Sequence, residues 1–356
     1  MPEQAGRPPS GAGGRRATPA VRLGGAVLLG AALLLVGAPA AAGEEAGAPE
    51  VRCTITDPAL DEISGLVDLG DRMLVMNDGG DQLSVTVLDA GCQVLETRTA
   101  DVDPYDPEDL GMSADGTVWL ADAGDNTAIR STVALLSLRP DGSAGVHRLT
   151  YPDRAHDSEA LLLAPDGTPY LVTKDVLGSS GVYRPTAPLS EQATVPMERV
   201  ATVNMTLTGT AGGPVGRAGQ LLITGGAVAA DGSALALRTY TDAYVWPLSG
   251  SDVAGALAGT PVRVALPDSP QGEAISFTAD SRRLVVASEG VPGDVVVVPI
   301  PAGSASDAPA SSDGPVPTLS ELTGSGRSTV TTALIAAAVA TVVVWLGGAL
   351  RRRAKR

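Results

Sequence analysis

Five times along the chain a polar residue opens a short apolar run, and an aspartate stands seven positions later: Ser64 and Asp71, Glu108 and Asp115, Glu159 and Asp166, Thr224 and Asp231, Glu273 and Asp280. Short apolar runs bounded by Asp, Gly and Ser read as strands, and Asp115, Asp166 and Asp231, each followed by glycine, read as hairpin turns. A second apolar run follows each turn, as in residues 118–121 after Asp115. Two further strands complete units one to four: 84–89 and 93–99, 132–138 and 144–150, 181–184 and 198–203, 243–248 and 261–266. Unit four's first strand is expected over 227–229. Unit five supplies only three strands, 274–278, 283–287 and 295–300. The unpaired run 51–55 is the natural fourth.

Four strands per unit, repeated at roughly 43 to 67 residues, predict an all-β propeller of five four-stranded blades, closed by the N-terminal strand. Closure by that strand also removes an exposed sheet edge. Residues 204–222, rich in Gly and Thr, lengthen the gap between units three and four. They are expected to be an insertion, with a degenerate sixth blade as the alternative. Aromatic residues make up only 3% of the chain, so the core must be Val, Leu and Ala.

The two ends follow other patterns. Arg15, Arg16 and Arg22 precede the apolar run 23–37 and the small residues 38–42, the pattern of a secretory signal peptide over 1–42. Residues 328–350 carry no charge and are long enough to span a bilayer. Arg351, Arg352, Arg353, Lys355 and Arg356 follow at once, which predicts a type I single-pass protein of the cell membrane with a cytoplasmic tail at 351–356. Between the propeller, 43–301, and the span lies a linker, 302–327, of Ala, Ser, Gly and Pro. As a flexible coil it covers roughly 30 Å.

Charge narrows the partners. The formal net charge is −15, and the basic leader and tail mean that the body is more negative still. Such a surface repels phosphate backbones, which argues against nucleic acid and leaves cations, proteins, glycans or small polar ligands. The two cysteines, Cys53 and Cys92, lie in the exported part, where disulfides persist. A bridge would pin the closing strand to the first blade; two free thiols are the alternative. Two cysteines and two histidines are too few for a cysteine-and-histidine zinc site.

The repeat also gathers polar residues. A strand rises ~3.3 Å per residue, so a hairpin of equal arms returns the chain to its starting level. Ser64, Glu108, Glu159, Thr224 and Glu273 should therefore ring one mouth of the central channel, beside Asp78, Asp122, Lys174, Arg238 and Glu289. Asp81, Asp125, Asn126, Arg130, Asp175 and Tyr240 follow in the adjoining loops. Asp115, Asp166 and Asp231 fall on the opposite face as turn formers.

Three readings of the mouth stay open. Its charges can pair internally around water. Glu108, Asp122, Asn126, Glu159 and Glu273 can serve as hard oxygen ligands for Ca2+. Lys174 and Arg238, with Arg130 and Tyr240, can hold an organic ligand. Other constellations are thin. Asp101, Asp103 and Asp106 lack the glycine and the final glutamate of an EF-hand. His156, Asp157, Ser158 and Glu159 are triad residue types without a G-x-S-x-G elbow. His147 is expected at the surface of an outer strand.

The segments DPEDLGMSADGTVWLADAGDN, HDSEALLLAPDGTPYLVTKD, GGAVAADGSALALRTYTDAYVWP and GEAISFTADSRRLVVASEG resemble a group of secreted bacterial propellers, common in actinomycetes and often membrane-anchored. More distantly the chain is similar to phytase-like and gluconolactonase-like propellers. That resemblance implies a channel holding calcium through acids and amides, and here touches Glu108, Asp122, Asn126, Glu159 and Glu273. The expected role is a cell-envelope module binding a cation or ligand. The alternative is a calcium-dependent phosphoesterase or lactonase-like hydrolase.

Overall fold

The computed structural model describes residues 47–301, which fall within a single compact unit. The leader, the linker and the apolar run 328–350 lie outside the described residues. Among those described, no helix is long and apolar enough to cross a membrane.

Twenty strands form five antiparallel groups of four. Strand β1 (Glu50–Ile55) comes first. The first blade is β2 (Ile63–Asp68), β3 (Arg72–Asn77), β4 (Leu83–Asp89) and β5 (Val94–Ala100). The second is β6 (Pro107–Met112), β7 (Val118–Asp122), β8 (Val133–Leu138) and β9 (Ala144–Thr150). The third is β10 (Ser158–Leu163), β11 (Pro169–Thr173), β12 (Ser179–Pro185) and β13 (Val195–Asn204). The fourth is β14 (Ile223–Val228), β15 (Ala234–Thr239), β16 (Asp242–Pro247) and β17 (Val262–Ala265), with helix α1 (Val253–Leu257) before its last strand. The fifth is β18 (Gly272–Phe277), β19 (Arg283–Ser288) and β20 (Gly293–Pro299), completed by β1 in antiparallel register with β20.

The inner strands β2, β6, β10, β14 and β18 lie side by side in that order and back to β2, which defines a β-propeller. Blades two and three also touch at their rims, where β13 and β9 pair in parallel over two residues. The segment before β14 holds a short 3-10 turn (Gly216–Gln220) and no strand, so it is an insertion rather than a sixth blade. Buried Asp242 anchors it, accepting hydrogen bonds from the hydroxyls of Thr208 and Thr210 and from Arg263.

An apolar layer fills each of the five gaps between blades. Leu74, Val85, Leu110 and Leu136 pack blade one on two, for example, and Leu162, Val172, Leu235 and Trp246 pack three on four. Burying such side chains contributes roughly 1.5–3 kcal/mol each before conformational entropy is charged against it. Strand β14 starts four residues earlier than the pattern suggested, because Gly225 and Gly226 obscure it. Packing explains the glycine at 225: a Cβ there would sit 2.3 Å from the Glu273 carbonyl oxygen of the next inner strand. Cys53 of β1 and Cys92, in the β4–β5 turn, form a disulfide with Cα atoms 5.7 Å apart, joining blade five to blade one. His147, expected at the surface, is buried against Trp119, their ring centroids 5.1 Å apart.

Candidate functional site: an acidic channel mouth

Every inner strand carries a register irregularity at its start: between Ile63 and Gly65, Pro107 and Asp109, Ser158 and Ala160, Ile223 and Gly225, Gly272 and Ile275. The polar residues that open the five units, Ser64, Glu108, Glu159, Thr224 and Glu273, all sit in these bulges. A bulge re-aims one side chain without disturbing the rest of the strand. All five are buried. Two of them make interblade bonds: the Ser64 hydroxyl donates to the Glu108 carbonyl and the Thr224 hydroxyl to that of Gly272 at 3.0 Å. The other three bring carboxylates.

A second tier enters two residues earlier, at Glu62, Asp106, Asp157 and Gln271. Their carbonyls accept from the N–H groups of Asp78, Gly124, Lys174 and Glu289, which follow the second strands. The pattern of unit openings did not single out Glu62, Asp106 and Asp157. Their signal was the same spacing read two positions back. Acidic side chains thus line blades one, two, three and five, and their mutual repulsion is large. Burial first, then Glu159, Asp106, Asp157 and Asp78, push the Glu108 carboxyl well above its ordinary range. Burial, followed by Asp157 and Glu273, does the same to Glu159 although Lys174 opposes it. Asp78 is pushed up to about 8 and Glu289 to about 11, both mainly by burial and then by Glu273. Glu62 and Asp157 are raised too, burial being the main cause.

The tightest cluster is Glu108, Asp157 and Glu159, each offering an oxygen within 4.8 Å of the others. Three carboxylate oxygens gathered this closely can share one divalent cation. Among the described residues no donor is hydrogen-bonded to the Glu108 carboxylate. Gly124 makes room for it: a Cβ there would stand 2.0 Å from Glu108 Oε1 and 2.8 Å from Asp106 Oδ2.

Lys174 is the cation set among these acids. Its Nζ lies 2.8 Å from Glu159 Oε1 and 5.4 Å from the centre of the Tyr240 ring, whose hydroxyl donates to Glu273 Oε1 at 3.4 Å. Burial lowers the lysine pKa, but Glu159, Tyr240, Glu273 and Asp157 outweigh it and hold the group well above its usual value, so it stays charged.

The remaining sequence candidates sit elsewhere. Asp122 accepts from the Asp106 N–H at 2.9 Å and pairs with Arg130 at 3.1 Å. Arg130 also donates to the Gly124 carbonyl and lies over the Tyr105 ring. Asn126 is exposed, and its place near the triad is taken by Asp157. Arg238, 1% exposed, donates to the carbonyls of Ala274 at 2.9 Å and Ala287 at 3.2 Å. It stitches blade four to blade five, and burial pushes its pKa down to about 10. Asp109, absent from the sequence candidates, accepts from the N–H groups of Leu110, Leu161 and Gly226 and so ties three inner strands together.

No protein-family model matches the chain, and no curated protein sequence matches it. Solved structures similar to it include a gluconolactonase of Xanthomonas campestris (TM-score 0.39, 20% identity, over 66% of this chain and 70% of that one). A putative gluconolactonase (0.38, 15%, 64% and 70%) and virginiamycin B lyase of Staphylococcus aureus (0.38, 9%, 70% and 98%) are similar to a like degree. Likeness at this level fixes neither family nor activity. The propeller assignment rests on the strand order above.

Proposed function

We propose that this protein is a membrane-anchored, extracytoplasmic propeller whose channel mouth binds a divalent cation of calcium type, as a ligand-binding module of the cell envelope. The observation that carries the site is the Glu108, Asp157 and Glu159 cluster. Three carboxylates are brought within reach of one ion, two of them buried, with Lys174 paired to one oxygen of one of them. Such a set is under mutual repulsion without a cation and is relieved by one. The address rests on the apolar runs 23–37 and 328–350 of the sequence.

Three protein ligands leave several of calcium's six to eight positions for water or a ligand. That openness favours a second reading, a calcium-dependent hydrolase of a phosphoester or lactone. The ion would polarise the substrate and Lys174 would hold its charge. The test is thermal unfolding of the full chain after chelation and with calcium restored, followed by a substrate screen. A site filled at 100 times its Kd adds about 2.7 kcal/mol, several degrees in Tm. A rise lost in Glu108→Gln supports the cation site; no rise with calcium or other divalent ions contradicts it. Turnover abolished by the same change, with the fold intact, would favour the hydrolase over the binding module.

A further inference from the structure

Blade three carries a cavity of about 260 Å³, lined in part by the loop that leads into β10. Asp157 and Glu159 belong to the mouth, whereas Asp153, Arg154 and His156 line this cavity, together with Thr173, Tyr183 and Arg199. Its floor is rigid. The His156 ring and the Tyr183 hydroxyl both bond to Asp153, at 2.9 and 3.2 Å, and lie 2.9 Å from each other. The tyrosine is 1% exposed, and its ring is held edge-on by Tyr151.

The hydrogen-bonding capacity of the lining is lopsided. Asp153 already accepts from His156 and Tyr183, and Asp175, also in the lining, accepts from the N–H groups of Leu177 and Ser179. Thr173 Oγ1 accepts from the Gly181 N–H, so its proton is what it has left to offer. Both guanidiniums are exposed, and among the described residues neither Arg154 nor Arg199 has an ion-pair partner. Arg154 makes one long bond, 3.4 Å, to a carbonyl. Both lie close enough to the Tyr183 hydroxyl to ease a pKa that burial and Asp153 push up to about 12. Both carboxylates of the lining already accept hydrogen bonds, whereas neither guanidinium is paired with a carboxylate among the described residues. Guanidinium groups match planar or tetrahedral oxyanions by paired N–H bonds.

From this we propose that the blade-three cavity is an oxyanion-binding site, taking the phosphate or carboxylate group of a small ligand between Arg154 and Arg199 with Thr173 as a further donor. It does not depend on the cation site.

The test is calorimetric titration of the metal-free full chain with inorganic phosphate and, separately, with acetate, at low and constant ionic strength set with sodium chloride. One saturable site for either anion is expected, weakened at least tenfold in Arg154→Gln/Arg199→Gln. The exposed position of both side chains keeps that double variant folded, which circular dichroism checks. Tighter phosphate binding would identify a phosphoryl ligand and tighter acetate binding a carboxylate; both support the site. Absence of saturation with both anions, or affinity unchanged in the double variant, overturns it. So does binding lost in Glu108→Gln and kept in the arginine variant, which would put the anion at the mouth.

Discussion

Acidic residues stand at the turn end of every blade and at the mouth end of blades one, two, three and five, and the two sets live under opposite conditions. At the turn end, Asp115 accepts from the Thr117 N–H at 3.0 Å and the Ser113 hydroxyl at 2.6 Å, and Asp231 accepts from the Ser233 N–H at 2.9 Å. These bonds, led by the hydroxyls of Ser113 and Ser233 respectively, hold both carboxyls below their ordinary range. At the mouth, Glu108 and Glu159 are buried among other carboxylates and raised. Seven residues of strand separate the two conditions. The turn acids have all the partners they need. At the mouth the Glu108 carboxylate has no hydrogen-bond donor among the described residues, and the proposed cation would be its partner.

The largest effect should come from breaking the mouth. In Glu108→Gln the calcium-induced rise in Tm disappears. The metal-free variant melts above wild type at pH 8, because one buried carboxyl among like charges has been removed while the Lys174–Glu159 pair is kept; a differential scanning calorimetry series checks both. The next is a pH profile of the metal-free chain, in which the two ends act on opposite limbs. A raised carboxyl such as Asp78 contributes stability that is complete below its ordinary pKa of about 4 and is lost as pH rises through about 8. Glu289, raised to about 11, extends that loss into alkali. Asp115 and Asp231, being lowered, contribute above their ordinary values and lose that contribution as pH falls through the lowered ones. Urea midpoints from pH 3 to 9 should therefore decline on the alkaline side without calcium and flatten there with it.

A smaller effect follows from Gly124→Ala, whose methyl would displace the Glu108 carboxylate. Calcium affinity should fall about tenfold, roughly 1.4 kcal/mol, with little change in metal-free stability. Smallest of all, Asp115→Ala loosens one exposed turn. It should shift Tm slightly and leave the calcium titration unchanged, which would confirm that the two ends are independent.

Much of this was legible before folding. Hairpins read off the aspartate at a fixed interval from each opening residue gave the blades, the closing strand and the five mouth positions, because a two-residue side-chain period and equal hairpin arms are local rules. Non-local packing was not legible. Arg238 ends a second strand as Lys174 does, yet its neighbour across the gap offers carbonyls rather than carboxylates, so it became a stitch between blades. Asn126 and Asp157 are both loop residues one step from a blade end. The entry into β10 carries Asp157 into the acidic cluster, whereas Asn126 stays exposed. Asp109 adjoins Glu108, but its partners, the N–H groups of Leu161 and Gly226, come from two other blades.

The most direct measurement is calcium titration of the full chain by calorimetry at pH 7 in two buffers of different ionisation enthalpy, which counts the protons released on binding. Burial and neighbouring carboxyls raise Glu108, Asp157 and Glu159, so a cation that binds them as carboxylates displaces protons. One calcium site, release of about one proton or more, and loss of both in Asp157→Asn are expected. Binding with no proton release, or a titration that Asp157→Asn leaves unchanged, would contradict the cation site.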